Sequence, residues 1–348
     1  MGIQLASPES VIPESGPIID IQNVTYTYWN RKKPTLNDVS IQIPRGKLTV
    51  IVGPGDSGKS TLCNLFNGVI PHLLEGQLKG NVFVNGVNTR SMPVGKHSRI
   101  VGRVFQDADS MFATLFVDDE IAFGPENFCF EPETIRKEVD RLIKEVDLLE
   151  HCHNLVWQLS GGQIQKLALA CVLAVQPAVV VLDEPTANLD PDTTRKVNRM
   201  VLEMRNQGTT VVLISRELDE YLAHADQLII LNQGRVAAAG MPKNVLGDHG
   251  DFLINELGVW LPETSDVAIR LNRSGALHKK IDIPISVNDT VNAIKQIVVK
   301  EATRSHFTEP AVVKTEAECP KGEVVISARD LHYQYLGGIQ ALRGISFD

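Results

Sequence analysis

The chain has 348 residues, 34 Lys+Arg against 42 Asp+Glu, a net charge of −8 and 43% apolar side chains. That composition excludes disorder over most of the chain, and the acidic balance argues against a general nucleic-acid binder, which carries a basic stripe. The length suggests two domains, and five Cys without CxxC spacing fit a reducing cytosol better than a disulfide framework.

In chain order, residues 1–16 are rich in Ser, Pro and Glu and read as a loose tail, without the basic and then apolar pattern of a signal peptide. Strands are predicted at 18–28, 39–43 and 48–53, the last a short apolar run suited to a buried strand. A helix follows at 60–67, closed by Gly68. Two strands occupy 79–85 and 99–105. Helical periodicity covers 132–150, with Ile135, Val139, Leu142, Ile143, Val146 and Leu149 on one face. Then come a helix at 161–175, a strand at 178–183, a helix at 191–207, a strand at 209–215, a helix at 217–224 and a strand at 227–231. This alternation predicts a mostly parallel α/β sheet, with the early strands forming a separate antiparallel layer. The most apolar stretch, 167–182, is broken by Gln176 and Pro177 and is too short for a membrane helix, so any membrane role is expected to be peripheral.

Residues 241–306 read as short helices and 307–322 as a linker. The opening of the chain repeats near its end: 19–41 pairs with 326–347, aligning Tyr26 and Tyr28 with Tyr333 and Tyr335, Leu36 with Leu342, Val39 with Ile345 and Ser40 with Ser346. A repeated domain opening predicts a second whole domain, begun at 323 and cut off inside its second strand.

The chemistry begins at GPGDSGKS, residues Gly53, Pro54, Gly55, Asp56, Ser57, Gly58, Lys59 and Ser60. This P-loop pattern sits between a predicted strand and a predicted helix, the context it requires. Its glycines let consecutive backbone N–H groups turn around phosphates, and the helix N-terminus adds partial positive charge. Lys59 is expected to reach the β- and γ-phosphates and Ser60 to ligate Mg2+, with Thr61 beside them. The strand 178–183 ends in two carboxylates: Asp183 is placed to hold Mg2+ and Glu184 to polarise an attacking water as general base.

LSGGQ (Leu159, Ser160, Gly161, Gly162 and Gln163) adds a second glycine-rich helix start. Together, residues 53–60, 106, 159–163 and 183–190 resemble the ATP-binding domain of ABC transporters. The resemblance implies a P-loop NTPase α/β fold: a RecA-like parallel sheet core, an antiparallel β layer, a helical subdomain and a small C-terminal helical extension. It implies that LSGGQ meets the γ-phosphate of ATP held on another domain's P-loop, so that a second ATPase domain, fused or as a homodimer, completes each site. It also implies that Tyr28 stacks on adenine and that Gln106 senses Mg2+ and the partner. Asn188, Leu189 and Asp190 would form the D-loop across the dimer interface. One position departs from the family: Arg216 stands where a His usually contacts the γ-phosphate. The expectation is that this site binds ATP but turns over slowly, so that a tandem protein keeps most activity when Glu184 becomes Gln.

Residues 67–86 and 104–127 look like the ATPases of energy-coupling-factor (ECF) importers, which carry vitamins, vitamin precursors, cobalt or nickel, and 258–275 resembles their C-terminal extension. This implies docking of Met111, Phe112, Leu115 and Phe116 on a transmembrane coupling protein, which works with a substrate-binding membrane protein. Met111 departs from the Gln common there. The implied place is the cytoplasmic face of a bacterial cell membrane. The alternatives are a weakly catalytic or regulatory half of a tandem ABC protein and a soluble non-transport ABC ATPase. A ribosome-bound member is disfavoured, because 241–322 holds ten Lys+Arg and eleven Asp+Glu and no nucleic-acid partner is expected. His151, Cys152 and His153 point in different directions and are not expected to share a metal.

Overall fold

A computed structural model describes residues 16–187, 189–216, 218–274, 282–286, 288–293, 295, 327–334 and 340–347. The chain starts as β1 (Pro17–Tyr28), β2 (Leu36–Pro44) and β3 (Leu48–Val52), enters α1 (Lys59–Phe66) and the short α2 (Val69–His72), and returns as β4 (Gly76–Val84) and β5 (Val87–Asn88). The short α3 (Val94–His97) leads to β6 (Val101–Val104). Three helices follow: α4 (Val117–Asn127), α5 (Pro132–Glu145) and α6 (Gly161–Ala174). Then come β7 (Val179–Asp183), α7 (Pro191–Asn206), β8 (Thr210–Ile214), β9 (Gln227–Asn232) and β10 (Arg235–Gly240), with α8 (Pro242–Asn255) and α9 (Glu263–Ser274) after them.

A six-stranded sheet has the order β10-β9-β3-β8-β7-β6, parallel except for the β9–β10 pair. An antiparallel sheet, β2-β1-β4-β5, makes the second layer. The apolar runs are explained by burial on both faces. Val180 and Leu182 of β7 and Val211 and Leu213 of β8 join a core containing α6. Their alternates, Val179, Val181, Val212 and Ile214, join a core shared with α1 and the antiparallel sheet. Each such Val, Leu or Ile contributes roughly 1.5–3 kcal/mol by leaving water. Leu62, Leu65 and Phe66 of α1 are buried in this second core together with Ile51 of β3 and Val179 and Val181 of β7.

The structure moves several predicted boundaries. The helix at 132–150 stops at Glu145, because Asp147 takes a left-handed φ of 58° and ends the turn. No helix forms at 217–224 among the described residues. The N–H groups of Tyr221 and Leu222 reach back to Leu218 O, and those of His224 and Ala225 to Tyr221 O, giving two separate turns that bury Leu218, Tyr221 and Leu222. The helix α4 was not anticipated, since Gly124 and Pro125 lie inside it. Three acidic residues in its first turn, Asp118, Asp119 and Glu120, favour its N-terminal end. α8 and α9 place Val245, Leu246, Leu253, Ala268 and Ile269 in the first core. No helix among the described residues is long and apolar enough to cross a membrane.

Residues 300–348 are a second unit. In it β11 (Ala328–Gln334) and β12 (Gln340–Phe347) form an antiparallel hairpin. It repeats the register of the first: Val24↔Val39 and Tyr26↔Leu36 correspond to Leu331↔Ile345 and Tyr333↔Leu342. Asn23 and Asp330 both have φ of 49°, and their N–H groups donate to Ser40 Oγ and Ser346 Oγ at the same 2.9 Å. The tail at 1–15, the linker at 307–322 and Tyr335 lie outside the described residues.

Candidate functional site

The turn from β3 into α1 requires glycine at two positions. A Cβ on Gly53 would lie 2.0 Å from the Leu231 carbonyl oxygen. Gly58, the residue before α1, has φ of 101° and no side-chain cap, so the first N–H groups of the helix stay uncapped by side chains. The buried Lys59 folds its ammonium back onto the carbonyl oxygens of Gly53 and Pro54, both at 2.8 Å. Burial holds its pKa below the ordinary lysine value; the charge of Arg216 lowers it further, and Glu184 and Asp183 oppose the shift. The positive charges of Lys59 and Arg216 therefore act on one another close to two carboxylates.

A cavity of about 330 Å3 opens here, lined by Tyr28, Asn30, Arg31, Thr35 and residues 56–61. Ser57 Oγ and Thr35 Oγ1 are buried there without a hydrogen-bond partner, a configuration that favours a ligand supplying one. Tyr28 OH lies 3.1 Å from Thr61 Oγ1, its ring meets Tyr26 edge-on at 4.8 Å, and the Arg31 guanidinium stands 6.0 Å from its centroid. Asn30, Arg31 and Thr35 were not anticipated; the basic run after Tyr28 was the available signal. Ser60 is exposed at the cavity mouth.

Alternation along β7 puts Asp183 on the same side as Val179 and Val181, facing α1. Its Oδ2 accepts a hydrogen bond at 2.9 Å from the buried Arg103 of β6, a partner the sequence reading missed. Glu184, next in the chain, has φ of 49°, and its N–H donates to Ile214 O. A left-handed non-glycine residue at a strand end is strained, and such strain clusters at functional sites. Its carboxylate pairs with Arg216 Nε at 3.3 Å. The oxygen donors here are the Ser60 hydroxyl at the cavity and the Asp183 carboxylate at the strand end; among the described residues no group of three His, Cys, Asp or Glu could hold an ion by itself. A hydroxyl and one carboxylate sharing the ion with phosphate oxygens is the usual arrangement for Mg2+.

The other predicted residues lie elsewhere. Gln106 is exposed beyond β6 and does not line the cavity. Ser160 caps α6: its Oγ accepts from Gln163 N–H, and Gln163 Oε1 accepts from Ser160 N–H at 2.7 Å, a reciprocal capping box. Leu159 is buried, Gly161 has open space where a Cβ would stand, and a Cβ on Gly162 would meet Thr193. None of residues 159–163 lines the cavity at the P-loop. Gln163 Nε2 rests 2.8 Å from His151 Nε2, while His153 Nδ1 pairs with Asp118. Asp190 caps α7 through the N–H groups of Asp192 and Thr193, and the bonds from Thr193 hold its carboxyl below the ordinary value. Leu189 packs on the first core, and Asn188 lies outside the described residues.

The expected apolar patch is divided. Met111 and Phe112 pack against the core, and Met111 sulfur accepts from Phe105 N–H, so these two are not free. Leu115 and Phe116 remain 57% and 40% exposed. The loop carrying them is held by the buried Glu120, whose Oε2 accepts from Ala113 N–H, Thr114 N–H and Thr114 Oγ.

Residues 36–187 match the family model for the ABC transporter. A protein of Pyrococcus abyssi described as an ABC transporter ATP-binding protein is 37% identical over 265 residues, 76% of this chain and 94% of that one. One of Caldanaerobacter subterraneus with the same description is 31% identical over 95% of this chain, which spans 57% of its length. CbiO1 of Clostridium perfringens, part of the ABC transporter complex CbiONQ, superposes with a TM-score of 0.60 at 28% identity over 75% of this chain and 98% of its own. With a Pyrococcus relative this similar, the likeness does not single out bacteria.

Proposed function

The chain belongs to the family of ABC transporter ATP-binding proteins, and from that premise we propose that it is the ATP-hydrolysing, energy-coupling subunit of an ECF-type importer for a vitamin, a vitamin precursor, cobalt or nickel. The observation that carries the nucleotide part is the cavity at the P-loop, with its two orphaned hydroxyls, Lys59 above it and Asp183 and Glu184 at the adjoining strand end. On this reading Lys59 and the N–H groups of α1 hold the phosphates, Tyr28 the adenine, and Ser60 and Asp183 the Mg2+. Glu184 acts as general base, and Gln106 joins on closure. Mg2+ supplies charge neutralisation at the phosphates. Because residues 159–163 do not line the cavity, a second ATPase domain brings its own signature to it. That domain belongs to another copy or to a longer chain. The length of the Caldanaerobacter relative and the repeated hairpin register support the longer chain.

The likeness to CbiO1 supports the ECF part. The exposed Leu115 and Phe116, on a loop pinned by Glu120, are the contact with a transmembrane protein. The chain should then be recovered from membranes with an integral membrane protein. Leu115→Asp with Phe116→Asp should release it while ATP binding stays intact; retention on the membrane by the double variant refutes this contact.

The Glu184–Arg216 pair favours a second reading, a site that binds ATP and hydrolyses it slowly. Arg216 Nε occupies Glu184 Oε1, so this oxygen is engaged before a water can reach it. Binding and Mg-ATP turnover should be measured separately in the wild type, Glu184→Gln and Arg216→His. All three should bind ATP, with Arg216→His about tenfold faster than the wild type and Glu184→Gln slowest. An Arg216→His protein no faster than the wild type removes the slow-site reading; a wild type that binds no ATP removes the nucleotide reading.

A further inference from the structure

The face of β6 that carries Val101 looks into the α1 core, so the side chain two residues on emerges under the P-loop helix. Its neighbours on that face are Val179, Val181 and Cys63, and an apolar residue would fit them. The chain has Arg103 there, its side chain only 5% exposed. Nη2 donates to Asp183 Oδ2 at 2.9 Å, and Nη1 donates to Asn64 Oδ1 on α1. The guanidinium carbon lies 4.5 Å from the Phe105 ring centroid, and Nε is buried with no partner. Asp183 Oδ1 accepts no hydrogen bond from a described residue. Taking a guanidinium out of water is costly unless its partners compensate, and here the principal partner is the carboxylate proposed to hold Mg2+.

We propose that Arg103 is a positioning residue for Asp183 and that its fixed charge replaces part of the divalent ion's contribution to nucleotide binding. This rests on the nucleotide reading given above. The planar fork spans Asp183 and Asn64, so it ties the end of β7 to α1 and leaves Asp183 Oδ1 as the oxygen for the ion. The charge acts in two ways that add. It attracts the nucleotide phosphates without help from a metal, and it repels a divalent cation drawn to Asp183. The surroundings are apolar and closed enough that burial pushes the adjacent Cys63 thiol up to about 12, so solvent screens these effects weakly. Both effects shrink the gain in ATP affinity that Mg2+ brings.

The experiment is calorimetric titration of ATP into the chain in excess Mg2+ and in EDTA, giving the ratio of the two Kd values. In Arg103→Gln and Arg103→Met the ratio should rise about tenfold over the wild type, a change of about 1.4 kcal/mol. Arg103→Lys keeps the charge and loses the fork, so its ratio should stay within about threefold of the wild type. Gln retains a donor for Asp183 and Met fills the apolar space, so the loss of one variant to misfolding leaves the other. Neutral variants that melt earlier but keep the wild-type ratio would reduce Arg103 to a structural tie and overturn the proposal. A wild type that binds ATP in neither condition fails at the nucleotide reading instead, a result distinct from an unchanged ratio.

Discussion

The starts of α1 and α6 are both glycine-rich, and every helix start carries N–H groups without intrahelical partners, which favour anions. They differ in how those groups are satisfied. α1 has no side-chain cap, is overlooked by Lys59, and borders a cavity with two unpartnered hydroxyls. α6 is finished as local structure: Ser160 and Gln163 cap each other, and Gly161 stands in open space. On the proposed reading, the uncapped end takes up phosphate in the cavity beside it, and the capped, exposed end meets a phosphate only when a second domain carries it there.

The sharpest way to break this comparison is to place one charge change at each end. Lys59→Ala should weaken ATP binding about a hundredfold, the loss of one strong charge-assisted contact. Gly161→Asp should leave ATP binding unchanged yet lower turnover by about a hundredfold or more, because its carboxylate repels the phosphate of the facing domain. The acidic side chain suits a helix N-terminus, so thermal melting should not fall. Equal losses of ATP binding in the two variants would erase the distinction between the ends.

A smaller effect tests what lies behind α1. The helix ends at Asn67 and Gly68, and a Cβ on Gly68 would sit 2.5 Å from the buried His97 ring. Burial holds the His97 pKa below its ordinary value; the bond to Thr89 O opposes the shift and His72 adds to it. Between that lowered value and about 6.5 the unfolded chain binds more protons than the folded one. Stability from this group is therefore full above about pH 6.5 and is lost as pH falls through the lowered value. Melting temperatures between pH 7.5 and 5.5 should decline less in His97→Gln than in the wild type, a difference of roughly 1 kcal/mol at most. Identical slopes would show that the α1 end does not sense acid through His97.

Much of the fold was legible because its signals are local. Runs such as 178–182 are apolar at every position, so a strand buried on both faces follows from the unbroken run. The two hairpins keep one register because Tyr26 and Tyr333, Leu36 and Leu342, and Val39 and Ile345 stand at matching paired positions. α4 was hidden because Gly124 and Pro125 read as breakers, while the acidic first turn and packing against α6 outweigh them. The 217–224 segment has helical spacing, but Leu218 and Tyr221 are drawn into the core as two turns.

The site divides in the same way. Sequence alone determined the P-loop, the paired carboxylates after β7 and the glycine-serine start of α6, because phosphate binding by backbone N–H groups needs glycine at fixed spacing. Only the tertiary structure decided that Arg103 reaches Asp183 on the neighbouring strand, that Arg216 pairs with Glu184, and that Met111 and Phe112 pack on the core while Leu115 and Phe116 stay exposed. Those outcomes depend on which faces of neighbouring elements meet, and residues 80 positions apart carry no local signal of it.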